Sequence, residues 1–245
     1  MANWSDPMGQ ATAPGFAGAA DSATDAGLRS YMLKVYNTMA SGVLLSGIVA
    51  MLFSQTAFAQ AMAQGQGGPL AWVIILAPLA FIMVMSFGLN RLSTPALQAL
   101  YWAFATIMGL SMSTLLLRYT GGSVAMAFFA TTGAFIGLSL FGYTTKRNLS
   151  AMGTFLIMGL VGILVAMVLN FFIFQSGAVS LVISILGVLI FAGLTAYDTQ
   201  MIKQTYYHVR GTDMMGKAVI MGALNLYLDF DNMFQFLLSI FGSRE

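Results

Sequence analysis

The sequence predicts an all-α membrane protein, a bundle of seven hydrophobic helical segments with the polar C-terminal one inside the bundle or against water. Three observations carry that prediction. The 245 residues are 58% hydrophobic and only 7% charged, with a mean hydropathy of +0.83, whereas soluble domains carry about 25% charged residues. Ten Lys and Arg, eight Asp and Glu and one His could not cover the surface of a soluble fold of this length. Apolar runs long enough to cross a hydrocarbon core of about 30 Å recur along the chain. In such runs the backbone must satisfy its own hydrogen bonds, which a helix does. Finally, the last apolar run alone is studded with Asp, Asn and Gln, a set that lipid does not tolerate, so that helix belongs inside the bundle or against water.

The 19 methionines and 26 glycines fit this class, since methionine fills irregular packing and glycine lets transmembrane helices approach. There is no cysteine, which excludes disulfides and thiol or Cys-based zinc chemistry. A net charge of +2 gives no reason to expect a nucleic-acid partner; the bilayer is the expected one.

The elements follow in order. Residues 1–27, rich in Ala, Gly, Ser and Asp, read as a flexible cytoplasmic tail without the basic start and apolar core of a signal peptide. Residues 28–245 form the membrane domain. Its expected spans are Val35–Phe58, Leu70–Gly88 (entered through the Gly65–Pro69 turn), Ala96–Leu117, Val124–Tyr143, Leu149–Phe174, Gly177–Tyr197 and Ala218–Phe241. Trp72, Tyr101, Trp102, Tyr119, Tyr143, Tyr206 and Tyr207 fall near span ends and read as interfacial belts. Gly133-Ala-Phe-Ile-Gly137 reads as a weak helix-packing motif. His208, in a charged loop, reads as solvated.

Orientation follows from the basic residues. With the N-terminus inside, one side holds Arg29, Lys34, Arg91, Lys146, Arg147, Lys203, Arg210 and Lys217, and the other Arg118 and Arg244. Basic residues collect on the cytoplasmic side, so the N-terminus is expected there. Seven full spans put the C-terminus outside and a re-entrant seventh segment puts it inside; the charge asymmetry is compatible with both.

The chemistry is expected where carboxylates meet apolar sequence, because intramembrane acids are costly. Asp198 ends the sixth expected span, five residues before Lys203. Asp229 lies in the middle of the seventh, where Asn225, Asp229 and Asn232 fall at i, i+4 and i+7 and share a face. Asp231 lies about 200° around the axis from Asp229, with Tyr227 and Gln235 at the i−4 and i+4 positions and Gln235 able to solvate it. Plainer readings stand beside these: Asp198 as an interfacial cap, Asp229 with its asparagines as interhelical glue, Asp231 as structural and Arg91 as a positive-inside anchor.

Ala-Tyr-Asp-Thr-Gln-Met-Ile (Ala196–Ile202) and Ala-Leu-Asn-Leu-Tyr-Leu-Asp-Phe (Ala223–Phe230), continued by Asn232-Met-Phe, resemble signatures of the transmembrane Bax inhibitor motif family. The segment Leu28–Asn37 is similar to its bacterial members. The resemblance implies seven helices with the last in the centre, an inner (plasma) membrane location and a pH-sensitive calcium leak governed by two aspartates. By motif position these are Asp198 and Asp229, which would serve as ion and pH sensor and as metal ligands. Arg91 would be the latch, and Asn225, Asn232 and Asp231 the supporting polar groups. Asp231 departs from the family pattern, which has an apolar residue there.

Ca²⁺, as permeant or bound ion, takes about six to eight oxygens, and two aspartates could supply part of that shell. Without metal, two close carboxylates would share a proton. Protonating the pair would loosen an Arg91–Asp198 latch, so pH would gate the pore. No enzymatic activity and no tightly bound cofactor are expected. The alternative is a regulatory membrane protein that binds and modulates a membrane-bound protease or stress-response partner through its tail. An intramembrane aspartyl protease also pairs a Tyr-Asp with a second aspartate, but Asp229 lacks the Gly-x-Gly-Asp of that class.

Overall fold

The computed structural model describes residues 15–243, with side chains from Ala26 onward. Part of the expected tail (1–14) and Arg244 lie outside the described residues. The elements are α1 (Gly15–Ser54), α2 (Ala57–Ala63), α3 (Gly68–Gly88), α4 (Thr94–Leu116), α5 (Gly121–Thr144), α6 (Ser150–Leu169), α7 (Gly177–Val209) and α8 (Met214–Phe241). Six helical segments are long and apolar enough to cross a membrane: Ala26–Ser54, α3, α4, α5, Ser150–Phe174 and α7.

Local chemistry sets the boundaries, and the main differences from expectation are at both ends of α1 and at the end of α7. Residues 15–27, expected as part of a flexible tail, are the helical start of α1. The first span ends at Ser54, not Phe58, because Thr56 adopts extended backbone and its hydroxyl accepts from the Ala59 N–H at 3.2 Å, starting a new short helix. This is the side-chain capping that begins helices. The Gly65–Pro69 turn forms as expected, with Gly65 and Gly68 at φ +76° and +61°, the left-handed region glycine tolerates. After Leu169 the chain makes a π-helical turn, Asn170–Phe174, closed by Gln175 at φ +46°. The sixth span does not stop at Tyr197: α7 is 33 residues long and continues to Val209, so Asp198 is an interior residue of that helix and not its cap. The Thr199–Val209 stretch stays helical because no Gly or Pro interrupts it.

Helix α8 packs against α7, α1, α5 and α4. Tyr31 of α1, Leu97 and Phe104 of α4, and Ile220, Leu224 and Tyr227 of α8 are fully enclosed between them. By contrast α3 and α6 present mostly apolar, exposed side chains. Two glycines permit the closest crossings. A Cβ at Gly109 of α4 would lie 2.6 Å from the Ser46 carbonyl oxygen of α1, and one at Gly142 of α5 would collide with the Ala196 carbonyl of α7. Gly133 and Gly137 have nothing within 4 Å of an added Cβ. The packing motif read there is corrected, since those glycines face away from neighbouring helices.

The aromatic belts are corrected in part. Tyr101, Tyr119 and Tyr206 are buried; the Tyr101 hydroxyl donates to the Thr38 carbonyl at 2.9 Å and ties α4 to α1. Trp72 and Tyr207 remain exposed. His208 is exposed, with Nδ1 3.0 Å from the Gln204 carbonyl oxygen.

Candidate functional site

The stripe expected on α8 is present and runs between two cavities. One, of about 450 Å³, is bounded by α7 and the start of α8 with Tyr31 and Leu89; Asp198, Thr205, Gly222 and Asn225 line it. The other, of about 380 Å³, lies toward the opposite end, where Asn170, Ser180, Asn232, Gln235 and Ser239 line it. Asn225 and Asn232 thus open into different cavities, about 10 Å apart along the axis. Asp229 lies between them and is only 3% exposed.

Helices α7 and α8 bring Asp198 and Asp229 together, close enough for the two carboxyl groups to interact directly. Asp198 is half-buried and borders the first cavity. Asp229 Oδ2 is buried with no hydrogen-bond partner. A carboxylate oxygen enclosed without a donor is unsolvated, and such a group is expensive unless a proton or cation joins it. The Asn232 amide donates to the Leu228 carbonyl at 2.8 Å, back along its own helix. It therefore faces the second cavity without binding either aspartate.

Asp231 is brought to neither. It is 4% exposed, and its Oδ2 accepts from Gln235 Nε2 at 2.7 Å, the i+4 bond the spacing predicts. On the same side of α8, Tyr227 Oη and Ser46 Oγ are 2.7 Å apart, and Ser46 Oγ donates to the Ala105 carbonyl at 2.6 Å.

Arg91 is exposed and makes no ion pair with a described acid; its backbone N–H donates to the Gly88 carbonyl. The cation that does reach this end of the first cavity is Lys217 of α8, whose Nζ donates to the Leu89 carbonyl at 2.9 Å. Lys203 is also committed, donating to the Tyr143 carbonyl at 2.8 Å and lying 4.9 Å from the centre of that ring. Sequence reasoning gave no role to Tyr31. It is fully buried beside Asp198's cavity with a hydroxyl that has no partner. Its only signal was its place within the Leu28–Asn37 segment.

Among the described residues no group of three or more acidic, His or Cys side chains is gathered as a metal site. Two carboxylates, an amide and water are what this arrangement can offer a cation, fewer protein ligands than a calcium cage supplies.

Residues 28–245 match the family model described as inhibitor of apoptosis-promoting Bax1. An uncharacterised protein of Caulobacter vibrioides is 46% identical over 234 residues, covering 92% of this chain and 93% of that one. The inner membrane protein YbhL of Escherichia coli K12 is 40% identical over 222 residues, covering 90% and 94%. A Rickettsia prowazekii protein is 42% identical over 223 residues, covering 90% and 92%. With its sequence signatures on two adjacent helices and a match extending from Leu28 through the last helix, the chain belongs to the Bax inhibitor-like family of integral membrane proteins.

Proposed function

We propose that this protein is a pH-sensitive calcium leak in which Asp198 and Asp229 form the sensor, with α8 crossing the membrane and the N-terminus cytoplasmic. The observation that carries the reading is the position of the aspartate pair between two cavities that open toward opposite ends of the molecule. A pathway blocked at one acidic point is what a gated leak needs, since ions can reach the block from either side by water-sized space. The unpartnered Asp229 Oδ2 supplies a place where a proton and a passing divalent cation compete. Ca²⁺ here is cargo, held briefly by few ligands, and not a resident cofactor.

Gating follows from the same competition. With one proton between them the two carboxyls hold each other and close the α7–α8 seam. A second proton removes the remaining negative charge, which loosens an Arg91–Asp198 contact and releases the seam. Arg91 serves as the latch in a closed state in which the α3–α4 turn moves toward Asp198; in the arrangement described, Lys217 holds that turn instead.

The test is calcium flux into liposomes containing the purified full-length protein, with wild type beside Asp198→Asn and Asp229→Asn. The proposal expects each single variant to change the pH profile of flux and the double variant to add little. Wild-type flux no greater than that of empty liposomes would end the channel reading and leave a regulatory binding role. Orientation is tested by single-cysteine labelling in a chain that has no cysteine. Thr145→Cys should react from the cytoplasmic side and Gln66→Cys from the other.

A further inference from the structure

Helices α1 and α5 both pack on α8, but α1 otherwise leans on α4 and α5 on α7. The two make no substantial contact with each other, and a groove runs between them. Three cavities form it. The first, about 540 Å³, is bordered by Arg29, Tyr36, Phe135 and Tyr143. The second, about 440 Å³, shares Tyr36, Phe135 and Ile136 with it and continues past Val43, Gly47 and Phe230. The third, about 180 Å³, shares Val43, Gly47 and Phe230 with the second, is bordered by Ser46, Tyr227 and Asp231, and runs on to Met51. From Arg29 to Ser46 is 17 positions of one helix, about 25 Å at helical rise. That exceeds half of a hydrocarbon core of about 30 Å, the depth one leaflet's acyl chain reaches.

The chemistry along the groove is graded. At its mouth stand the exposed guanidinium of Arg29 and the half-buried rings of Tyr36 and Tyr143. Lys203 sits over the Tyr143 ring at 4.9 Å. Among the described residues no acidic side chain borders the first two cavities; the single acid of the groove, Asp231, is at the far end. Between mouth and end the walls are aliphatic and aromatic. We infer that this groove is a binding site for one anionic glycerophospholipid of the adjoining leaflet. Its phosphate meets Arg29 in the field of Lys203, and one acyl chain lies along α8 between α1 and α5. A guanidinium offers a phosphate a fork of donors, and a basic side chain near the membrane surface strengthens binding of anionic lipid. The tail fills the space beside Tyr227 and keeps water from Asp231. A zwitterionic lipid fits the same walls but gains nothing from the net positive mouth.

The experiment uses the full-length protein in lipid nanodiscs, with spin-labelled phosphatidylglycerol and spin-labelled phosphatidylcholine as probes of motionally restricted lipid. Phosphatidylglycerol should be preferred about fivefold, the worth of one interfacial cation, and Arg29→Ala should bring it to the phosphatidylcholine level. Gly47→Phe fills the groove from a position where an added Cβ meets nothing within 4 Å. It should lower restricted lipid of both kinds while leaving the thermal midpoint of the protein unchanged. Equal retention of the two lipids by wild type would show an unselective lipid shell and overturn the site. So would a preference that survives Arg29→Ala, or restricted lipid unchanged in a folded Gly47→Phe protein. A protein that self-associates through α1 and α5, with the groove emptied of lipid, would also overturn it.

Discussion

Two residues apart on one helix, Asp229 and Asp231 are both buried among apolar side chains, and their surroundings differ in every other respect. Asp229 faces a second carboxylate, keeps an oxygen without any donor, and lies between two cavities lined by Asn, Ser and Thr groups. Asp231 has a committed amide from its own helix, a Tyr227–Ser46 pair beside it and a nearly wholly apolar cavity in front. Burial alone therefore does not distinguish the two acids. What separates them is whether a donor on α8 itself completes the carboxylate's hydrogen bonding or the carboxylate is left open to an exchangeable partner.

The sharpest way to break that comparison is to neutralise each acid in turn. Asp229→Asn and Asp198→Asn should change calcium flux at a fixed pH by about tenfold, the scale of one lost contact to a charged group. Asp231→Asn keeps an acceptor for Gln235 and should leave the pH profile of flux in liposomes where it was. An equal effect of all three would make the distinction between the two sides of α8 untenable.

A second, smaller effect isolates the pair from its neighbour. Arg91→Ala should raise flux at the pH where wild type is closed, by about fivefold for one interfacial charge. Arg91→Lys, which keeps the charge but not the planar fork, should fall between. An unchanged profile with normal protein level and orientation would reduce Arg91 to an anchor, and Lys217→Ala would then be the variant to compare.

On the Asp231 side the expected readout is stability rather than flux. Gln235→Leu removes the donor 2.7 Å from Asp231 Oδ2 and should cost about 1–3 kcal/mol, read as a lower thermal midpoint in detergent. Tyr227→Phe should cost least, about 0.6 kcal/mol as for a typical interhelical hydrogen bond in a membrane. Ser46 retains its bond to the Ala105 carbonyl. If Gln235→Leu shifts the pH profile while the midpoint stays, Asp231 belongs to the ion pathway after all.

Much of this was legible in the residues, for physical reasons that also explain the misses. The i, i+4, i+7 spacing of Asn225, Asp229 and Asn232 and the i, i+4 spacing of Asp231 and Gln235 are fixed by helical geometry, so one face and one hydrogen bond could be read without a structure. The end of α7 could not. Hydropathy falls at Asp198, but helical hydrogen bonding does not depend on hydropathy, and the helix runs on to Val209. Tyr101 and Tyr206 look interfacial by position along the chain, yet burial depends on which neighbour covers each ring, which local sequence does not encode. The same holds for Gly133 and Gly137, whose spacing is right for close packing while their face of α5 meets no helix. Tyr31 was invisible because an unpartnered hydroxyl is defined only by what surrounds it.

The polarity of α8 has a consequence for how the protein is made. Chains enter the membrane in the order they leave the ribosome, so α1 to α7 are present before α8 arrives. A segment carrying Asp229 and Asp231 has little to gain from lipid on its own. With α8 crossing the membrane as proposed, the helices that receive it are α1, α4, α5 and α7, whose side chains enclose it in the finished bundle. On that reading the insertion of α8 is guided by these helices more than by hydrophobicity, and a chain truncated before Met214 would expose the faces that α8 covers.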